Sequence, residues 1–112
     1  MEALFLVLNK VDCLEELLVK LTEVGVKGGT VIDSTGMARV LFGDKESDNI
    51  LGSLRMFLNP ERQESKTLFF VLKHEQVELA RKTIREELDL SKPDTGIMFG
   101  VDLTFIEGLN NN

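Results

Sequence analysis

The sequence has few residues that could cross-link the chain or bind a transition metal. It contains one cysteine, one histidine, and no tryptophan or tyrosine. One cysteine excludes an internal disulfide and a CxxC zinc site, and so few soft ligands lead us to expect no metal. Basic residues number 13 against 19 acidic ones. The resulting net charge of −6 disfavours general nucleic-acid binding, which depends on neutralising phosphates.

Long hydrophobic runs are also missing, since none approaches the roughly 18–20 residues of a membrane span. We therefore expect no membrane insertion. The apolar start over residues 3–8 is too short for a signal peptide and has no basic flank, so a cytoplasmic location is the default expectation. What remains is an ordinary globular composition, with 43% hydrophobic and 29% charged residues in 112. This length predicts a single domain over residues 1–112.

Hydrophobic periodicity predicts the order strand, helix, strand, long insert, strand, helix, strand. The strands are expected over 3–8, 30–33, 66–72 and 97–103, and a short tail element over 105–109. The first helix is expected to begin with an N-cap at Asp12 and to end at Gly25. The second is expected from about Glu75 to Leu88, and residues 110–112 are expected to fray.

This order is the βαββαβ pattern of an α+β, ferredoxin-like fold, in which an antiparallel four-stranded sheet carries two helices on one face. Residues 68–71 are all apolar, so the other face of the sheet is expected to be apolar as well. Large exposed apolar patches are uncommon on monomers, which favours a homo-oligomer.

The insert between strands 2 and 3, residues 36–65, is far longer than a hairpin needs. Its apolar residues at helical spacing predict a short amphipathic helix, with Ile50, Leu54 and Phe57 on one stripe. We expect that stripe either to pack against other parts of the oligomer or to dock on a partner protein. The insert's arginines, Arg55 and Arg62, contact a partner, form intersubunit ion pairs, or are simply solvated.

Three stretches of the chain carry a resemblance to a known family. They are the helix that runs into Gly25-Val26-Lys27-Gly28-Gly29-Thr30-Val31, the segment 71–77, and residues 96–106. Together they resemble the PII family of nitrogen-regulatory signal-transduction proteins, in a divergent, PII-like branch. The resemblance implies a cytoplasmic homotrimer, without catalysis, that binds ATP, ADP or 2-oxoglutarate between subunits. The insert 36–65 is then the T-loop, which docks on a client protein such as a transporter, an enzyme or a regulator.

The same resemblance suggests ligand-binding residues. Thr30 matches a threonine that lines the intersubunit cleft, and Gly36 and Arg39 match the base of the T-loop. Lys66, at the other end of the insert, offers charge to an anionic ligand or is a solvated surface residue. The phosphate-binding B-loop corresponds to Asp94, Thr95 and Gly96, where converging backbone amides favour negative charge.

The chain also departs from the family at positions that bind phosphate. Ile97 stands where the family has a lysine, and Gly108 and Asn110 stand where it has arginines. Charge-assisted hydrogen bonds contribute roughly 1.5–3 kcal/mol each, so tight binding of ATP in the usual mode is not expected. The missing tyrosine excludes the family's tyrosine-based loop modification.

Two other interpretations stay open. In the first, the protein is a ligand-free trimeric scaffold whose insert holds the subunits together permanently. In the second, it is a trimeric metal-tolerance-type protein. The position of His74 at the start of the second helix favours a structural role for this residue over a metal-binding or catalytic one. Asp94 and Asp102 are candidate paired carboxylates, but no nucleophile accompanies them, so we expect no catalytic residues.

Overall fold

A computed structural model describes residues 1–37 and 65–109 of the chain. These residues form four strands and two α-helices in the predicted order. The strands are β1 (Glu2–Leu8), β2 (Thr30–Ser34), β3 (Ser65–Leu72) and β4 (Gly96–Asp102), and the helices are α1 (Leu14–Glu23) and α2 (His74–Glu87). A single 3-10 turn, Val11–Cys13, precedes α1.

The four strands form one antiparallel sheet in the order β2-β3-β1-β4. The predicted α+β, ferredoxin-like architecture is therefore confirmed. On one face of the sheet, alternate leucines of β1 pack with the apolar sides of both helices. This core contains Leu4, Leu6, Leu8, Leu68, Phe70 and Leu72 from the sheet, and Leu17, Leu21, Val77, Ala80 and Ile84 from the helices.

The predicted end of the first helix is confirmed, but its predicted start is wrong. Gly25 has a φ of +94°, and its N–H donates to the carbonyl of Thr22 at 3.1 Å while that of Val26 donates to Leu21 at 3.0 Å. This is a Schellman motif. At the start, the N-cap is Cys13 instead of Asp12, and no side chain caps the helix. The 3-10 turn satisfies this end through its backbone, because the Cys13 N–H donates to the carbonyl of Lys10.

The face of the sheet opposite the helices is apolar, as the sequence predicted. Phe5, Phe69 and Phe99 lie side by side across three strands. The ring centroids of Phe5 and Phe99 are 5.0 Å apart and nearly parallel, and those of Phe5 and Phe69 are 5.7 Å apart. On the edge strand β4, Ile97 and Val101 flank Phe99 and are 59% and 47% exposed. We call this surface, made by Phe5, Phe69, Ile97, Phe99 and Val101, the open face.

Two further expectations concern the insert and the tail. The insert lies between β2 and β3 as expected, but Arg39, Ile50, Leu54, Arg55, Phe57 and Arg62 lie outside the described residues. The tail element expected over 105–109 is wrong, because residues 103–109 form no helix or strand. Phe105 is among the most exposed apolar side chains, so a short element there has no core to pack against. No helix in the described ranges is long and apolar enough to cross a membrane.

Candidate functional site

A cleft of about 710 Å³ lies where the α1–β2 loop, the end of β3 and the start of α2 meet. The loop contributes residues 27–30, and β3 contributes Phe69 and Val71. The start of α2 adds Lys73 and Gln76. Because Phe69 also belongs to the open face, the cleft and the open face are continuous.

Close packing of the loop against the core explains one of its two glycines. A Cβ on Gly29 would lie 2.5 Å from Cε1 of Phe70, a ring that is only 4% exposed. A Cβ on Gly28 would meet nothing within 4 Å. Only Gly29 is therefore required for the loop to lie this close to β3.

The electrostatics of the cleft favour an anion. Lys27 and Lys73 are exposed on its walls, and within the described ranges neither forms a salt bridge. The N-terminal end of α2 adds positive partial charge from its unpaired N–H groups. One acidic residue, Glu75, also lines the cleft. With Phe69 and Val71 as an apolar wall, the cleft suits a small anion that carries an apolar or aromatic part.

The structure separates the residues that the sequence suggested for ligand binding. Thr30 lines the cleft, whereas Gly36 is exposed beyond the end of β2. Lys66 forms an ion pair with Asp33 on the neighbouring strand β2. Gly96 opens β4, at the opposite edge of the sheet from β2. One chain therefore does not bring Thr30 and Gly96 into a common pocket.

Lys66 and Gly96 lie at the same end of the sheet, but β1 separates their strands. Both are register partners of Leu8, one on each side of β1. Neighbouring strands are about 4.8 Å apart, so the two backbones are roughly 10 Å apart. A ligand that reached both would span the end of β1.

The loop that leads into β4 has structural reasons for its sequence. Thr95 is buried, and its carbonyl accepts hydrogen bonds from the N–H groups of Asn9 and Lys10 at 3.0 and 3.3 Å. A Cβ on Gly96 would lie 2.6 Å from the carbonyl oxygen of Val7. Asp94 has a φ of +59°, a backbone conformation that few residues other than glycine adopt. The fold itself therefore accounts for the glycine at position 96, and Thr95 takes part in it through its backbone carbonyl.

Earlier in the same connection, Asp89 forms a tight local turn. Its carboxylate accepts hydrogen bonds from the hydroxyl and the backbone N–H of Ser91. These bonds stabilise the charged form and hold the pKa of Asp89 below its ordinary value, with the hydroxyl contributing most.

Sequence reasoning missed a cluster at the end of the sheet where β3 ends and α2 begins. Glu2, His74 and Asp102 each present a ligand-type atom, and these atoms all lie within 4.8 Å of one another. The signal was the topology: β1 begins, β4 ends and α2 begins at this one corner of the ferredoxin-like fold. Asp94, by contrast, precedes β4 and Asp102 is the last residue of that strand, so the two do not form the candidate carboxylate pair.

Comparison with known proteins assigns no family. No family model matches the sequence, and no curated protein matches it. The resemblance to PII proteins therefore stays a hypothesis.

Proposed function

We propose that the protein is a cytoplasmic PII-like regulator, a homotrimer that binds a small anionic metabolite or nucleotide between its subunits. In this proposal, residues 36–65 respond to the ligand and control a client protein. The observation that carries the proposal is the cleft beside Thr30, which has cationic walls and continues into an uncovered apolar face. Neighbouring subunits that covered the open face would also close the cleft.

The open face supports self-association. Complete burial of a Val, Ile or Phe side chain stabilises by about 1.5–3 kcal/mol. Ile97, Phe99 and Val101 remain roughly half exposed in the single chain. Covering these three residues would therefore contribute roughly 2–5 kcal/mol per chain. The occupants we propose are the open faces of the neighbouring subunits, which would meet around the axis of the trimer and bury these residues in all three chains together.

The separation of the suggested ligand-binding residues also supports an intersubunit site. Thr30 and Gly96 lie on opposite edge strands of one sheet. Around a closed ring of subunits, one edge of a chain meets the other edge of its neighbour. Such a ring brings Thr30 of one subunit towards the β4 edge of the next.

The nature of the cleft narrows the ligand class. Its two lysines suit a phosphate or carboxylate, and Phe69 and Val71 suit a flat apolar group. Adenine nucleotides combine both. The position of the family's phosphate-binding lysine is Ile97, whose side chain is apolar and exposed. We therefore expect AMP, ADP or a cyclic nucleotide to bind at least as tightly as ATP.

Calorimetry on the full chain tests this proposal, with ATP, ADP, AMP, cyclic AMP and 2-oxoglutarate as the probes. We expect at least one to bind, and Lys27→Gln and Lys73→Gln each to weaken it by about ten- to a hundredfold, the loss of one charge-assisted hydrogen bond. Lys20→Gln is the matched control, because Lys20 is exposed on α1 and does not line the cleft. The absence of both heat and a thermal shift with every probe would overturn the nucleotide-sensor proposal.

The ligand-free scaffold is the second candidate, and the loop before β4 favours it. Gly96 already serves the close approach of β4 to β1, so a phosphate is not needed to explain this glycine. A stable trimer that binds none of the five probes would support this candidate.

A further inference from the structure

We infer that Glu2, His74 and Asp102 form a binding site for a divalent transition-metal ion, for which zinc is the reference ion. The three residues come from separate elements: the first residue of β1, the first of α2 and the last of β4. Their ligand atoms all lie within 4.8 Å of one another. None of the three lines the cleft, although His74 stands between Lys73 and Glu75, which do, and the inference does not depend on the proposed function.

The fold fixes the two carboxylates against each other. Glu2 and Asp102 are register partners on β1 and β4, so their side chains are on the same face of the sheet. Just beyond them, the N–H of Leu103 donates to the carbonyl of Met1 at 3.1 Å and secures this end of the pairing.

The histidine completes the cluster from the helix layer. His74 Nδ1 contacts a carboxylate oxygen of Glu2. Two atoms bound to one tetrahedral zinc ion at about 2.0–2.2 Å are roughly 3.3–3.6 Å apart. The side chain of His74 is 67% exposed and Asp102 is also exposed, so both side chains have room to rotate, and the direct contact between His74 and Glu2 would open to admit the ion between them.

The charge balance of the cluster favours a cation. Like charges placed directly opposite on neighbouring strands destabilise a sheet. In the described part of the chain, no lysine or arginine forms a salt bridge with Glu2 or Asp102. The N-terminal end of α2 offsets part of this negative charge. A divalent ion would neutralise both carboxylates and accept the imidazole as a third ligand.

The ligand types indicate the class of metal. One imidazole nitrogen and two carboxylate oxygens suit zinc, manganese or iron(II) better than copper(I), which prefers thiolate and thioether sulfur. Magnesium and calcium favour oxygen-only sites. Three protein ligands leave a coordination position for water or for a group from another molecule.

Titration of the chelator-treated full chain with zinc chloride, without nucleotide, tests this inference by calorimetry. We expect one zinc ion per chain, no comparable binding of magnesium, and a rise in melting temperature on adding zinc. His74→Gln and Asp102→Asn should each weaken zinc binding at least about tenfold. Glu78→Gln is the matched control, because Glu78 is an exposed carboxylate elsewhere on α2 and should leave the affinity unchanged.

Four results would overturn the metal site. The first is no saturable zinc binding at about 100 μM metal. The second is zinc binding that neither His74→Gln nor Asp102→Asn weakens. The third is an equal loss in Glu78→Gln, which would indicate non-specific binding to surface carboxylates. If His74 only pairs with Glu2, His74→Gln lowers the stability of the metal-free protein and zinc has no effect, which also overturns the inference.

Discussion

Phe99 offers the sharpest test of what covers the open face. The substitution Phe99→Asp places a carboxylate at the centre of that face, beside the ring of Phe5. In the single chain, Phe99 is 45% exposed. Within one chain, the substitution therefore removes about half of the 1.5–3 kcal/mol by which full burial of a Phe side chain stabilises the fold. Loss of the stacked pair adds about 0.5–1.5 kcal/mol.

The expected cost to the folded monomer is thus about 1–3 kcal/mol, or a fall in melting temperature of roughly 4–20 °C for a domain of this size. The effect on assembly should be larger. A subunit that covers Phe99 would have to bury an unpaired carboxylate, which costs several kcal/mol per ion. We therefore expect Phe99→Asp to remain folded and to dissociate the oligomer.

Light scattering after size exclusion, together with circular dichroism melting, separates these effects. Leu79→Asp is the matched control, because Leu79 is 44% exposed but lies on α2, in the helix layer. The control should keep the oligomeric state of the wild type, and Phe99→Ala should weaken assembly less than Phe99→Asp. A Phe99→Asp protein with the wild-type mass, or a wild type that is monomeric at about 100 μM, would refute the assignment of the open face to a subunit interface.

Two further predictions concern the loops. Gly29→Ala should destabilise by about 1–3 kcal/mol in urea unfolding, because its Cβ meets the buried ring of Phe70, whereas Gly28→Ala should stay within about 0.5 kcal/mol; equal costs would contradict the packing of the loop. Because the folded-state pKa of Asp89 is depressed, its stabilising effect is present above the unfolded pKa and lost as pH falls through the folded one. Ser91→Ala should therefore raise the pKa of Asp89 in an NMR titration and destabilise near neutral pH more than in strong acid, and an unchanged pKa would contradict the hydrogen-bond assignment.

Local patterns predicted the strands and the C-terminal end of α1. Apolar runs located β1, β3 and β4, and β-branched residues located β2, each to within one residue at either end. Gly25 located the end of α1, because it supplies the left-handed conformation of a Schellman motif. The start of α1 was displaced, because a 3-10 turn satisfied the backbone without the side chain of Asp12.

Long-range pairing was harder to predict. The Glu2, His74 and Asp102 cluster depends on the pairing of β1 with β4, whose residues are almost the whole chain apart. No local pattern marks it, and Glu2 alone looks like a surface residue. Thr30 lines a cleft of the single chain, whereas its role in an intersubunit cleft, which the resemblance implied, stays a prediction. Its distance from Gly96 became evident only once the strand order was known.

Native mass spectrometry of the full chain with an adenine nucleotide tests the central claim most directly, because it reports subunit number and bound ligand together. The PII-like account predicts an ion of three chains that carries one to three nucleotides. A monomer without nucleotide under conditions that preserve known trimers would contradict it.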